Sequence, residues 1–277
     1  MPKTPTSSPA GPTKTSITIA APVNFRLILD PRWGRAKATE ILLQRQRARQ
    51  TEQAHHQRLE ESQKLVDQAG DATRDPYTWA TRYTETYNQH WVEEHRPSPY
   101  ERFPSLASYP HLYDLFELLA AERINWFEKS RDMMVTWGCV AYLMLQAQIV
   151  PAREVLLQTQ KIDKVKQLIK YAKCLYRRQP EWLQDAFPLT KHVDSQPDDA
   201  MVFRHGGAVI GIPGGADQIR SYHPWGYLND ESSFQPDAGD CYNEALSAVK
   251  GEIVFNSSAG PGWFADVRRD IIINVEE

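Results

Sequence analysis

RINWFEKSRDMMVTWGCVAYLMLQAQIV, from Arg123 to Val150, is the stretch whose reading decides the fold. Arg123 to Phe127 reads as a short strand, Glu128 to Val135 as a sharp charged turn, and Thr136 as the opening of a helix that is apolar on nearly every side. A strand that runs through a tight loop into a buried helix presents helical amides without internal partners. They carry partial positive charge, and this is a geometry that holds phosphate. Many α/β proteins carry the same three pieces with no ligand between them, so this stretch alone leaves a phosphate site and a plain buried crossover both open.

The flanks extend the pattern. His111 to Glu122 puts Leu112, Leu115, Phe116 and Leu119 on one face, an amphipathic helix that leads into the strand. Glu154 to Gln158 is a second apolar strand. The helix after it, Ile162 to Tyr176, turns Ile162, Val165, Leu168, Ile169, Ala172, Leu175 and Tyr176 inward and ends before Pro180. The five lysines between Lys161 and Lys173 read first as a solvated face and second as a DNA-facing one. Strand, loop, helix, strand, helix is the order of a right-handed parallel α/β unit.

Farther along, Met201 to Arg204 and Ala208 to Ile212 flank His205, Gly206 and Gly207 as a β-hairpin. A polar loop covers Pro213 to His223. Trp225 to Asn229 is a strand that ends in two carboxylates, Asp230 and Glu231. A helix from Cys241 to Val249, capped by Asp240, precedes a strand from Glu252 to Asn256, which ends in Ser257 to Gly262. Ile271 to Val275 reads as a last strand.

On the amino-terminal side the reading is weaker. Met1 to Pro22 is rich in Pro, Thr and Ser and reads as a disordered tail, with Asn24 to Leu29 as a short strand or docking segment. Arg35 to Gln68 is helix-prone but too polar to bury a face, a solvated helix or partly ordered arm on one reading and a partner-binding or DNA-touching arm on the other. Trp79, Tyr83, Tyr87 and Trp91 recur every fourth residue, the spacing of a packed aromatic stripe on a helix. Arg96 to Pro110, with its prolines, is an irregular connection.

Composition sets the bounds. The 277 residues suffice for one substantial domain with extensions, and a net charge of −3 gives no global pull toward nucleic acid. Cys139, Cys174 and Cys241 lie far apart and fit neither a disulfide framework nor a zinc pattern, as expected of core thiols in a reducing compartment. No run is long enough to span a bilayer and no signal peptide opens the chain, so the expectation is a cytoplasmic protein without a membrane partner.

Three strand ends then supply complementary groups: a hydroxyl at Thr136, carboxylates at Asp230 and Glu231, and the small polar loop from Ser257 to Gly262. Carboxyl ends of parallel strands gather on one edge, where ligands bind. Splitting a nucleoside triphosphate needs amides and a cation on the phosphates, a hydroxyl and a carboxylate for Mg²⁺, and a group that orients water. Each has a candidate here.

KSRDMMVTW (Lys129 to Trp137) resembles the deviant nucleotide loop of the large terminase subunits of tailed bacteriophages. The resemblance continues in order through LLQTQKIDKVKQLI (Leu156 to Ile169), IPGGADQIRSY (Ile212 to Tyr222), YLNDESSFQPDA (Tyr227 to Ala238) and NSSAGPGWFADV (Asn256 to Val267). It implies a three-layer α/β P-loop NTPase fold of the additional-strand class, with a mostly parallel central sheet. The implied division is a tail over 1–22, a helical extension over 23–95 and the ATPase domain over 96–277.

The resemblance also implies residue roles. Lys129, Ser130, Arg131, Asp132, Met133, Met134, Val135 and Thr136 form the phosphate loop, and Thr136 and Asp230 hold Mg²⁺. Glu231 polarises the attacking water. Ser257 and Ser258 open the coupling motif that runs to Gly260, and Arg220 reaches a neighbouring subunit's nucleotide. Met134 and Val135 stand where the usual loop has Gly-Lys, so Lys129 or Arg131 inherits the cation's role, Arg131 being slightly preferred for bidentate phosphate contact.

The expected cofactors are ATP and Mg²⁺. The expected partners are double-stranded DNA, a portal protein, a small terminase subunit and further copies in a ring on the procapsid, in the cytoplasm of an infected bacterial host. Nothing after Val267 has room for the RNase H-like nuclease domain of complete large terminases, so no DNA cleavage is expected from this chain. The alternatives are a helicase-like translocase and a catalytically inactive, portal-binding assembly protein.

Overall fold

The structure is a computed structural model that describes residues 35–276. The tail over 1–22 and the segment from Asn24 to Leu29 lie outside the described residues. The chain divides into a unit up to Arg58 and a unit from Leu59 onward. The helix α1 (Arg35–Thr73) supplies the described part of the first and opens the second, where Ala69 and Ala72 are buried. It is polar along its length, as the sequence reading expected.

The second unit continues with α2 (Pro76–Tyr83), β1 (Glu85–Tyr87), β2 (Tyr100–Arg102), α3 (His111–Ala121), β3 (Ile124–Glu128) and α4 (Val135–Ile149). Next come β4 (Glu154–Thr159), α5 (Ile162–Arg177), α6 (Glu181–Ala186), β5 (Ala200–Val202), β6 (Ala208–Pro213) and α7 (Ala216–Arg220). Then follow β7 (Gly226–Asp230), α8 (Ala238–Ala248), β8 (Ile253–Ser257) and α9 (Trp263–Glu276). Six strands form one sheet in the order β3-β8-β7-β4-β6-β5, parallel except for the edge strand β5. One strand, β8, is inserted between the strand feeding the 129–134 loop and the strand carrying Asp230. This insertion is the additional-strand arrangement.

Two apolar layers cover the sheet, and the period-two alternation of its strands assigns residues to each. Val155, Leu157, Leu228 and Val254 pack into the cluster with α3, α4 and α5, whereas Leu156, Tyr227, Ile253 and Phe255 pack into the cluster with α7, α8 and α9. The helix α4 is buried from Trp137 through Leu145. It has no polar face because α3, α5 and the sheet enclose it. Its one deep polar side chain, Gln148, trades reciprocal hydrogen bonds of 2.8 and 2.9 Å with Gln179.

Several expectations are corrected. The aromatic stripe is not helical throughout. The helix α2 ends at Tyr83, Thr84 hydrogen-bonds back to Ala80, and Glu85–Tyr87 pairs antiparallel with Tyr100–Arg102. The β-branched Thr84 and Thr86 favour extension at the point where the spacing alone favours a helix. Trp79 is buried as packing, and Tyr83 meets Trp182 edge-on. The irregular stretch from Arg96 to Pro110 contains β2, and the polar loop from Pro213 to His223 contains α7. Ile162 is 44 % exposed because it sits in the first turn of α5, outside the buried stripe. Asp240 lies inside α8, and the cap position belongs to Asp237. Ile271 to Val275 continues α9 and is not a strand.

The tight His205–Gly207 turn packs against the end of α4. A Cβ at Gly207 would stand 2.1 Å from the backbone oxygen of Ala147. Backbone cannot rotate away as a side chain can, so Gly207→Ala is expected to destabilise the fold by roughly 2–3 kcal/mol. Urea denaturation of the purified variant checks this, and an unchanged midpoint would contradict the packing.

Candidate active site

Apart from Arg220, which ends α7, each expected site residue sits at or beside a carboxyl end of a parallel strand. Where β3 ends, the Lys129 amide donates to Ser257 O at 3.0 Å, which ties the start of the loop to the end of β8. Ser130, Arg131, Asp132 and Met133 form the exposed crest. Asp132 and Met134 are left-handed, at φ 61° and 57°. Met134 is also the N-cap of α4 and offers the helix no side-chain cap, so the first amides of α4 lack that partner. Val135 is buried, and Thr136 follows in the first turn.

Three elements converge at Thr136. Its Oγ1 donates to Asp230 Oδ1 at 3.0 Å, and Asn256 Nδ2 reaches Asp230 Oδ1 at 2.8 Å and Thr136 Oγ1 at 3.0 Å. Glu231 is left-handed at φ 58°, which swings its carboxylate back toward the loop after the strand has ended. Lys129 Nζ lies 3.1 Å from Glu231 Oε1, and the Ser258 amide points at Glu231 Oε2 from 3.5 Å. Ser257 Oγ accepts from the Ser233 amide at 3.0 Å. The hydroxyl, the two carboxylates, a lysine and the serine loop therefore share one edge.

Burial governs the electrostatics. Desolvation pushes the Asp230 carboxyl up to about 6, with Glu231 adding to the rise and Lys129 and the Thr136 hydroxyl opposing it. An acid held this far from its usual range is poised for a cation. Asn256 Oδ1 is buried beside it without a hydrogen-bond partner. A hydroxyl and a carboxylate are hard oxygens of the kind that Mg²⁺ accepts while keeping several waters and phosphate oxygens. The donor set fits that ion. No larger cluster of His, Cys, Asp or Glu suited to a metal occurs among the described residues.

Arg131 and Arg220 stand apart from this point. Arg131 is exposed on the crest and makes no ion pair among the described residues. Arg220 closes α7 and binds Glu244 at 2.7 Å, with its side chain 67 % exposed. Three residues that the sequence reading did not assign are prominent: Asn256, Asn229 and Gln158, each fully buried. Asn229 Nδ2 reaches Gln158 Oε1 at 3.2 Å, and Gln158 Nε2 donates to Pro213 O at 2.8 Å and Gly215 O at 3.0 Å. Their signal was present, since each is an amide at the penultimate position of an otherwise apolar strand.

No family model matches the chain, and no curated protein matches its sequence. Among solved structures, the large terminase of bacteriophage HK97 is similar with a TM-score of 0.52 at 12% identity, over 74% of this chain and 42% of that one. The ATPase domain of a Thermus phage large terminase is similar at a TM-score of 0.36 and 12% identity, over 55% of this chain and 71% of that one. A thermophilic bacteriophage's large terminase, solved with ADP, is similar at 0.34 and 13%, over 50% and 34%. The fold is thus one shared with the HK97 large terminase, and the chain spans 42% of the length of that protein. Among the described residues, no helix is long and apolar enough to cross a membrane.

Proposed function

We propose that this chain is the ATPase motor unit of a viral large terminase, hydrolysing ATP to drive double-stranded DNA into a procapsid. The observation that carries the reading is the meeting of Thr136, Asp230 and Asn256 within 3.0 Å of one another, beside the Lys129–Glu231 pair. In this reading the motor domain runs from Arg96, with residues 23–95 as its amino-terminal extension.

In this reading the 129–134 loop and the first amides of α4 receive the phosphates. Lys129 supplies the cation that Val135 cannot, because it reaches the shared edge from the front of the loop. Thr136 and Asp230 would hold Mg²⁺, Asp230 directly or through water, and the ion would offset the negative charge of the phosphates. Glu231 orients the attacking water, and a phosphate that draws Lys129 toward itself frees that carboxylate. Ser257 and Ser258 report the change to the DNA-gripping parts. Arg220, exposed at the end of α7, completes the site of a neighbouring copy in a ring docked on a portal, with a small terminase subunit, in the host cytoplasm.

A second reading, an inactive portal-binding protein, is favoured by the missing Gly-Lys pair. ATP hydrolysis by the full chain, measured at several protein concentrations with and without double-stranded DNA, separates the two. A motor's specific rate rises with concentration, and Arg220→Ala abolishes the rise while leaving ATP affinity intact. A rate indistinguishable from buffer at every concentration, both with and without DNA, would remove the motor reading.

A further inference from the structure

We propose that His111 is a positioning residue that holds the phosphate loop in a shape its own sequence resists. The inference rests on the nucleotide-binding reading of that loop. No glycine occurs between Arg123 and Trp137, yet the loop turns twice through left-handed backbone, at Asp132 and Met134. L side chains resist that region and glycine does not, so such residues persist only where their surroundings over-determine them.

The surroundings contain one such restraint at the right place. Met133 sits between the two left-handed residues, and its carbonyl lies 2.8 Å from His111 Nε2. A carbonyl only accepts, so His111 is the donor, as the Nε2-protonated neutral ring or as the imidazolium. His111 is the first residue of α3, whose Leu112, Leu115, Phe116 and Leu119 are buried in the core shared with α4. Its ring meets Tyr109 edge-on at 5.7 Å. The tether therefore starts from a rigid base. The loop's other fixings lie at its ends, Lys129 N to Ser257 O at 3.0 Å and Gly138 N to Met134 O at 2.9 Å. Without His111 the peptides between Asp132 and Met134 relax toward negative φ. Their amides, and those opening α4, then turn from the phosphate site. His111 thus supplies from a neighbouring helix the restraint that a glycine-bearing loop does not need.

Three variants of the full chain test this. His111→Phe keeps a ring against Tyr109 but has no donor, and His111→Gln restores one. Amide hydrogen exchange over residues 130–136 without nucleotide is expected to quicken about tenfold in His111→Phe, because the local opening loses a hydrogen bond. Affinity for a non-hydrolysable ATP analogue is expected to fall about fivefold, with the melting temperature unchanged. His111→Gln should recover most of both. Adding Met134→Gly to His111→Phe should recover affinity, since glycine adopts the left-handed turn unaided. Unchanged exchange and affinity in His111→Phe would overturn the proposal, as would a Met134→Gly that recovers nothing. If the wild type binds no analogue, the functional reading fails, while the exchange arm still decides whether the tether exists.

Discussion

Glu231→Ala is expected to lower ATP turnover about a thousandfold while leaving ATP affinity equal to or tighter than that of the wild type. Glu231 leaves β7 in left-handed backbone and faces Lys129 Nζ at 3.1 Å, with the Ser258 amide aimed at its other oxygen. A residue held in that region at the end of a buried strand has its direction set by the fold, since an ordinary negative φ would carry the carboxylate elsewhere. Alanine at the same φ keeps the backbone cost and removes only the carboxylate, so the change falls on water orientation. Lys129, relieved of its partner, is then free for phosphate, and binding does not weaken. Steady-state hydrolysis together with calorimetric binding of a non-hydrolysable analogue reads both quantities. Equal turnover in variant and wild type would assign the activity to a contaminant or to a different base, and Glu231 would lose its role.

Much of this edge was legible in the chain before any coordinates. The three strand ends could be read because β3, β7 and β8 are short, mostly apolar runs whose last residues turn polar, and that transition marks where strands surface. The loop between Lys129 and Thr136 could be read from its charge and its place between a strand and a buried helix. The α5 period held because that helix has a long regular apolar face, with Val165, Leu168, Ile169, Ala172, Leu175 and Tyr176 buried. What failed was short or local. The stripe from Trp79 to Trp91 matched a helical period, but three-residue strands carry too little pattern to compete with four aromatics at even spacing. Ile271 to Val275 is a run of β-branched residues with no turn signal before it, and helical continuation from Trp263 overrode its propensity. The His111 contact joins residues 22 apart through a backbone carbonyl, and no side-chain pattern marks a carbonyl acceptor. The buried amides at 158, 229 and 256 matched no catalytic pattern, because Gln158 and Asn229 pair with each other and Gln158 with the backbone, and Asn256 acts by holding Thr136 and Asp230.

Asp230→Asn is expected to abolish turnover and, unusually for a change at a buried position, to stabilise the metal-free protein. Burial is the main reason the Asp230 carboxyl titrates near 6 rather than at its ordinary 3.8. An acid whose folded pKa is raised binds its proton more tightly in the native state. It costs nothing below the unfolded pKa, costs progressively more as pH rises from about 4 to about 6, and costs the full amount above that. Asparagine stays neutral throughout and still offers an oxygen to Thr136 and Asn256. At pH 7.5 with chelator present, the variant should therefore be more stable on the order of 2 kcal/mol, a rise in Tm of roughly 5 °C, and the advantage should vanish near pH 4. Excess Mg²⁺ with ADP should raise the wild-type Tm by more than the variant's, since only the carboxylate recovers its desolvation cost from a cation. Melting curves at pH 4 and pH 7.5, with and without metal, give all four values. A variant less stable than wild type at pH 7.5 would mean that the hydrogen bonds to the charged carboxylate outweigh its burial, and the strand end would then be built for structure. The predicted opposite sign is that of a strand end kept for a bound ion at the expense of the empty fold.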